Sequence, residues 1–166
     1  LETRLGYSFH SPALLENALY HSSYANEHRG AGIGSNERLE FLGDAVLGFV
    51  TAEYLYAKHP DLPEGDLTRI RAALVCEESL HEVAQQLGLG EYLRLGRGEE
   101  LGGGRRRPSI LADATESVFA AVYLDGGMDA ARDLIHRVLL DKEQEEQVEE
   151  RRRDYKTELQ ELVQRR

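Results

Sequence analysis

Apolar residues recur at every third or fourth position along most of the chain, the spacing that predicts amphipathic helices. Ser11-Pro12 begins the first helix, because a capping hydroxyl precedes a proline that fits the first turn. Asn36 is the expected cap of a longer helix that runs to about Lys58, and Asp66 is the expected cap of the next. The helix that follows closes at Gly88 and has one apolar face: Leu80, Val83, Ala84 and Leu87.

The second half of the chain continues the helical pattern. A glycine-rich segment, residues 96–107, is expected to be a flexible loop, and a helix then runs from Pro108 to Asp125. Asp129 is the expected cap of the last core helix, whose apolar positions are Leu134, Ile135, Val138 and Leu139. No stretch alternates with period two, so the sequence predicts an all-α fold of about seven helices.

The longest of these helices carries acids on the side opposite its apolar stripe. Glu37, Glu40 and Asp44 follow the i, i+3, i+7 spacing and fall within about 60° of arc. The apolar side is formed by Leu39, Leu42, Val46, Phe49 and Val50. Like charges on one face disfavour the helix, and so do the interior glycines Gly43 and Gly48. The missing side chains leave room beside the acids for a metal ion, a phosphate or another backbone.

The helix that begins at Pro108 has the same design. Asp113 and Glu116 are i, i+3 neighbours beside the small residues Ser117 and Ala120. The opposite stripe is formed by Leu111, Val118 and Val122. If the two acidic faces meet, four carboxylates come together, and their repulsion calls for cations. Oxygen ligands without thiols or imidazoles select Mg²⁺ or Mn²⁺, ions that promote in-line hydrolysis of phosphodiesters.

Composition limits the other possibilities. The 166 residues suffice for one domain with its own core. The single cysteine, Cys76, excludes an intramolecular disulfide and is expected to be a small core residue. There is no window of about 18 apolar residues and no secretory leader, so we expect a cytoplasmic protein without membrane contact. The net charge of −10 argues against binding nucleic acid through the bulk field alone.

Three further features allow more than one interpretation. The arginines at 105–107 end the glycine-rich segment and could equally well contact phosphates or face water. His21, taken alone, is expected to be a structural hydrogen-bonding residue and not a ligand. A Glu-x-x-His element from Glu78 to His81 is typical of di-iron bundles, but those bundles need a second copy that this sequence lacks.

One stretch has a highly specific residue order: Asn36-Glu37-Arg38-Leu39-Glu40-Phe41-Leu42-Gly43-Asp44-Ala45-Val46-Leu47. It closely resembles the signature of the ribonuclease III endonuclease domain. Further matches follow in the family's order and spacing at His21-Ser22-Ser23-Tyr24-Ala25-Asn26-Glu27, Pro63-Glu64-Gly65-Asp66-Leu67-Thr68, Leu111-Ala112-Asp113-Ala114 and Tyr123-Leu124-Asp125-Gly126-Gly127. The departures are Thr115, where the family commonly has a bulky apolar residue, and Tyr20, where threonine is common; neither removes an acid.

This resemblance implies the ribonuclease III endonuclease-domain fold over residues 1–145. A charged linker would follow at 146–153, and residues 154–166, capped by Asp154, would be the first helix of a truncated double-stranded-RNA-binding domain. The implied activity is Mg²⁺-dependent cleavage of double-stranded RNA, with Mn²⁺ able to substitute, for RNA processing and rRNA maturation. The products would carry 5′-phosphate and 3′-hydroxyl ends with short 3′ overhangs. The alternative is a non-cleaving protein of this fold that binds double-stranded RNA or the ribosome.

The resemblance also assigns roles to individual residues. Four acids would bind the metal: Glu40, Asp44, Asp113 and Glu116. Asp44 and Glu116 would also be catalytic, and Glu37 and Glu64 match further acids thought to lie along the RNA cleft. The family forms homodimers, in which an aromatic at the position of Phe41 inserts into a cavity of the partner. The alternative for Phe41 is a ring shielded within its own subunit.

Overall fold

The computed structural model describes residues 1–141, 157 and 159–164, and this part of the chain is all-α, as predicted. Its α-helices are α1 (Glu2–Leu5), α2 (Pro12–Ala18), α3 (Ser22–Glu27), α4 (Glu37–Lys58), α5 (Glu64–Leu74), α6 (Glu77–Leu87), α7 (Arg97–Leu101), α8 (Pro108–Gly126) and α9 (Met128–Ile135). Six of them have seven residues or more. Turns of 3₁₀ helix occur at Arg29–Ala31, Leu89–Glu91 and Gly104–Arg106, and a π-helical turn, His136–Leu140, extends α9.

The predicted linker at 146–153 and the expected cap Asp154 lie outside the described residues, so the division into domains stays a prediction. Residues 159–164 are helical and exposed. Within the described residues, no helix combines the length and the apolar character needed to cross a membrane.

The centre of the core is α8, which is buried on nearly all sides. Between Ile110 and Val122 only Asp113 is exposed. The largest helix–helix contact in the described part of the chain joins α8 to α4, and α6, α9 and α2 also pack against α8. The predicted stripe of Leu111, Val118 and Val122 is buried, but so is the rest of the helix. Thr115 is buried too and donates a hydrogen bond to the Leu111 carbonyl at 2.8 Å, so this departure from the family pattern affects packing.

Asn36 lies directly before α4, as predicted, but its side chain does not cap the helix. Its amide instead donates to the carbonyl oxygen of Ala18 at 2.9 Å. Its backbone N–H donates to the Tyr20 carbonyl at 2.8 Å, and its carbonyl accepts the Ser117 hydroxyl at 3.1 Å. The buried Asn36 therefore ties the start of α4 to the end of α2 and to α8.

Two other residues that were predicted to cap helices do not occupy the cap position. Helix α5 begins at Glu64 after Pro63, and α9 begins at Met128 after Gly127. Asp66 and Asp129 therefore lie inside the first turns, where a negative charge favours the helix through its dipole instead of capping it. The bounds of the long helices α4 and α8 agree with the sequence prediction, and Gly88 closes α6 with φ 65°.

Residues 96–107 form helical turns where the sequence suggested a flexible loop. The start of α7 is held by α3, because the Glu27 carboxylate accepts the Arg97 N–H at 2.6 Å. The Ser23 hydroxyl oxygen likewise accepts the Gly96 N–H at 2.8 Å. These partners are about 70 positions away in the sequence, so no local pattern reveals them.

Two side chains that the sequence predicted to be buried are exposed in the structure. Cys76 is exposed at the start of α6 instead of buried in the core. Phe49, assigned to the apolar stripe of α4, is 53% exposed. The reason is that α4 meets α8 at Gly43, and six residues at about 100° each place Phe49 about 120° away from that contact.

Helices α4 and α8 approach most closely at Gly43. A Cβ atom built on this glycine would lie 1.7 Å from the carbonyl oxygen of Glu116 and 2.5 Å from its carbonyl carbon. The sequence left three possibilities for the space beside this glycine: a metal ion, a phosphate or another backbone. In the structure the space is filled by the backbone of α8. Nothing lies within 4 Å of a Cβ built on Gly48.

Replacing Gly43 by alanine is expected to lower the free energy of unfolding by at least about 2 kcal/mol, because the two backbones must separate to admit a methyl group. Chemical denaturation monitored by circular dichroism would measure the change. Gly65→Ala in the first turn of α5 is the matched control, since nothing lies within 4 Å of its Cβ. That control should be neutral or stabilising by up to about 1 kcal/mol. Equal stabilities of the two variants would contradict the packing argument.

Candidate metal centre

Glu40 on α4 meets Asp113 and Glu116 on α8 in a compact group that we call the acidic cluster. One carboxylate oxygen of each residue lies within 4.8 Å of those of the other two. Glu116 is the deepest at 8% exposure, Glu40 is half-buried and Asp113 is exposed. The two acidic faces predicted from helical periodicity therefore meet in the fold.

Asp44 adjoins the acidic cluster without being part of its closest group. Its carboxyl group is hydrogen-bonded to that of Glu116, and its side chain is exposed. Gly43 lies between Glu40 and Asp44 on the helix, and its backbone contact with Glu116 fixes how near these two acids come to α8. All four acids predicted as metal ligands thus lie in one place.

The environment of Glu116 favours its protonated form. Burial is the main cause, and the hydrogen bond and negative charge of Asp44, followed by the charges of Glu40 and Asp113, act in the same direction. Together they raise the pKa of Glu116 to about 9. At neutral pH without a cation, these effects favour a proton on Glu116.

The other two members of the acidic cluster are shifted in the same direction. Burial raises the pKa of Glu40, and the charges of Asp113, Asp44 and Glu37 add to the effect in that order. Burial also raises the pKa of Asp113, and Glu77 contributes, while His21 lowers it. Mutual repulsion thus makes the cluster a place where a positive charge would be strongly favoured.

The donor set fits a hard divalent cation. Its ligands are carboxylate oxygens from two helices, with no thiol or imidazole in the group. Such ligands suit Mg²⁺ or Mn²⁺ and not zinc or copper. A cation bound there would take the place of the proton on Glu116 and remove the repulsion that raises the pKa values.

The two weaker cleft assignments differ in their surroundings. Glu37 is exposed at the start of α4 and its charge acts on Glu40, so it lies beside the acidic cluster. Glu64 is exposed at the start of α5, where it accepts the Thr68 hydroxyl at 2.7 Å. It does not contribute to the pKa shifts of the cluster acids.

The three arginines at 105–107 differ in the contacts that their side chains make. The Arg105 guanidinium donates to the carbonyls of Gly90 and Leu93 at 2.7 and 2.8 Å, and it pairs with Glu100. Arg107 pairs with Glu99. Arg105 and Arg107 therefore have partners within the fold, although Arg107 is exposed, as is Arg106.

Sequence reasoning missed an apolar stripe on the outer side of α4. Phe41 is 79% exposed, Tyr56 is 78% exposed, and Phe49 lies between them. With the exposed Ala45, these residues recur at helical spacing on one side of α4. The sequence contained the signal for this stripe, because α4 has apolar residues on two sides. A helix of that kind has a second apolar surface besides the one that packs against the core.

Comparison of the sequence with protein families and curated proteins gives consistent matches. The family described as ribonuclease-III-like matches residues 11–143. The Ribonuclease 3 of Desulforamulus reducens is 52% identical over 164 residues, covering 99% of this chain and 67% of that protein. The Ribonuclease 3 of Oceanobacillus iheyensis is 50% identical over 164 residues, covering 99% of this chain and 72% of that protein.

Solved structures match the fold as well. The nuclease domain of ribonuclease III from Campylobacter jejuni superposes with a TM-score of 0.77 at 42% identity, covering 82% of this chain and 92% of that one. A region of that domain is involved in dimer formation. Dicer from Pichia stipitis superposes with a TM-score of 0.60 at 26% identity, covering 84% of this chain and 59% of that one.

Replacing Glu116 by glutamine is expected to stabilise the metal-free protein increasingly as the pH rises. The folded protein keeps a proton on Glu116 up to about pH 9, whereas the unfolded chain loses it near 4.5. Between these values the folded state binds more protons, so this group lowers wild-type stability as the pH rises.

The measurement is thermal unfolding in a metal chelator at pH 5 and pH 8. Glu116→Gln should melt roughly 5 °C above wild type at pH 8 and within about 1 °C of it at pH 5. Glu82→Gln, an exposed acid on α6, is the control and should match wild type at both values. A pH-independent difference would show that Glu116 is not held protonated by the fold.

Proposed function

Because the chain belongs to the ribonuclease III family and is an endoribonuclease, we propose that it hydrolyses double-stranded RNA with a divalent cation held by four acids: Glu40, Asp44, Asp113 and Glu116. The observation that carries this proposal is the acidic cluster, whose carboxylate oxygens lie within 4.8 Å of one another. The oxygen-only donor set makes Mg²⁺ the expected ion and Mn²⁺ a substitute. The cation would then bridge the negatively charged phosphates of the RNA and the carboxylates of the protein.

The chemistry is hydrolysis of a phosphodiester. A cation bound at the acidic cluster would neutralise the phosphate charge and activate the attacking water. The water oxygen bonds to phosphorus, the bond from phosphorus to the 3′ oxygen breaks, and that oxygen takes up a proton. The products are a 5′-phosphate and a 3′-hydroxyl, and two staggered cuts would leave short 3′ overhangs.

The two proposed catalytic residues differ in burial, which suits different tasks. Glu116, nearly enclosed by α8 and α4, is placed to hold the cation once it has lost its proton. Asp44 is exposed at the mouth of the acidic cluster and is the carboxylate best placed to accept a proton from the attacking water. Glu37, exposed beside Glu40, would border the RNA.

Other parts of the assignment rest on the family resemblance alone. The role of Glu64 along the RNA, the part played in rRNA maturation and the assignment of residues 154–166 to a double-stranded-RNA-binding domain stay predictions. Recognition by the A-form shape of RNA, as opposed to base order, is typical of proteins that bind double-stranded RNA.

We also propose that two copies of this chain pair through the outer side of α4. Phe41, Phe49 and Tyr56 leave a large apolar surface along this helix, and such surfaces mark protein contacts. A groove of about 1070 Å³ lies beside Phe41 and includes Leu14, Ile33, Leu42 and Leu124 in its lining. In a two-fold dimer the same patch supplies both the inserted ring and its cavity, and an exposed ring beside a groove supports such a pairing.

The assay that tests the enzyme assignment is cleavage of long double-stranded RNA at low salt, with and without Mg²⁺. Glu116→Gln is expected to reduce Mg²⁺-dependent cleavage by at least about 100-fold, because a buried ligand loses its charge. Glu82→Gln should cut like wild type. If the wild-type protein binds the RNA but does not cut it at any Mg²⁺ or Mn²⁺ concentration, the non-cleaving alternative replaces this proposal.

Phe41→Asp is expected to convert the dimer to monomers, because a carboxylate cannot enter an apolar cavity without losing its hydration. Sedimentation velocity would measure the change in mass. Leu101→Asp on α7 is the matched control, since Leu101 is 82% exposed and lies off the α4 stripe. An unchanged dimer in Phe41→Asp would contradict the proposed interface.

A further inference from the structure

One wall of the groove beside Phe41 is the short segment between the 3₁₀ turn at Arg29–Ala31 and helix α4, which we call the groove loop. Its four residues all line the groove: Gly32, Ile33, Gly34 and Ser35. Gly32 has φ 69°, and nothing lies within 4 Å of a Cβ built on either glycine. Because glycine loses more backbone freedom on folding than other residues, this loop needs hydrogen bonds from elsewhere in the fold to keep one conformation.

Asn17 on α2 supplies two such hydrogen bonds. Its side-chain amide donates to the carbonyl oxygens of Gly34 at 3.1 Å and Ser35 at 3.2 Å. The amide carries two hydrogens, so both bonds can form at once. Asn17 also lines the groove, and its side chain therefore joins two of the groove's walls, α2 and the groove loop.

The other end of α2 is held by Asp125, near the C-terminal end of α8. The Asp125 carboxylate accepts the Tyr7 hydroxyl at 2.6 Å and the backbone N–H groups of His10 and Ser11 at 2.8 Å each. Ser11 directly precedes α2, and Leu124, the neighbour of Asp125, lines the groove. These hydrogen bonds join the start of α2 to the end of α8 beside the groove.

The groove is built from four separate parts of the chain: α2, the groove loop, α4 and α8. An inserted aromatic ring contacts all of them only when their spacing is fixed. If the walls had to become ordered at the moment of binding, the lost conformational entropy would weaken the pairing. Hydrogen bonds within one chain avoid that loss, because they order the walls before a partner arrives.

We propose that Asn17 is a positioning residue that, together with Asp125, keeps the groove in its binding shape in the single chain, so that the ring of Phe41 from a second copy enters a preformed cavity. The inference rests on the proposed function, because it takes this groove and the outer side of α4 to be the interface between two copies. Asn17 acts through the groove loop, since both hydrogens of its amide are used within its own chain.

Asn17→Asp keeps nearly the same shape but loses both donors and places a carboxylate against two carbonyl oxygens. We expect the dissociation constant of the dimer, measured by sedimentation over a range of protein concentrations, to rise at least about 10-fold, because each dimer contains two such grooves. Asn17→Ala removes the donors without adding a charge and should weaken the dimer by a similar or smaller factor. The control is Gln86→Ala, which removes an exposed side-chain amide from α6, outside the groove lining, and should leave the dissociation constant unchanged.

A second measurement separates positioning from a direct contact with the partner. It uses the Phe41→Asp protein, in which the chain is expected to be a monomer. Adding Asn17→Ala to that protein should lower the backbone amide order parameters of residues 32–35, measured by NMR relaxation, from about 0.85 to below about 0.6. The melting temperature should change by less than about 2 °C, because only a surface loop is loosened. Gln86→Ala in the same protein should alter neither quantity.

Wild-type dimer affinity in both Asn17 variants would overturn the inference. A weaker dimer with unchanged order parameters in the monomer would overturn it too, because Asn17 would then contact the second copy directly. If neither Asn17 variant folds, Tyr7→Phe decides the question, since it removes one of the three hydrogen bonds to Asp125. That variant should weaken the dimer by a smaller factor, and wild-type affinity is the contrary result.

A failure of the proposed pairing looks different from a failure of this inference. In that case the wild-type protein is a monomer at every concentration, or Phe41→Asp remains a dimer. The role of Asn17 in the groove then falls together with the interface.

Discussion

The backbone contact between Gly43 on α4 and Glu116 on α8 is the constraint on which the site depends. No other residue type fits there, because a Cβ atom would lie 1.7 Å from the Glu116 carbonyl oxygen. The contact sets the separation of the two helices, and Glu40 and Asp44 flank the glycine on α4. A carboxylate of α8 is thereby enclosed by carboxylates of α4. Glycine lowers the intrinsic stability of α4 at this position, but it allows the arrangement of the acids. Such a local loss of stability is expected at a functional site.

The acidic cluster stores electrostatic repulsion in the metal-free fold. Burial and neighbouring carboxylates raise the pKa of Glu116 to about 9, and the pKa values of Glu40 and Asp113 are raised too. A helix of ordinary core residues would avoid this cost. In the proposed function, a divalent cation bound at the acidic cluster would displace the proton of Glu116 and relieve this repulsion.

Helix α4 serves the core, the acidic cluster and an outer surface at once. Leu39, Val46 and Val50 pack inward, Glu40 and Asp44 border the site, and Phe41 and Phe49 face outward. The proposed pairing of two chains through that outer surface would therefore use the same helix that carries Glu40 and Asp44.

The sequence by itself determined the helices of seven residues or more, the fold class and the two acidic helix faces, because helical periodicity acts within a few residues. The short helices α1, α3 and α7 were not predicted. The family resemblance added the expectation that Phe41 lies at a dimer interface. Only the tertiary structure showed that residues 96–107 form helical turns and that Cys76 and Phe49 are exposed. It also showed that Asp66 and Asp129 lie inside their helices. The physical reason is that hydrogen bonds such as Glu27 to Arg97, and close contacts such as Gly43 to Glu116, join residues far apart in the chain. Local sequence carries no record of such partners, and they fix where each side chain finally lies.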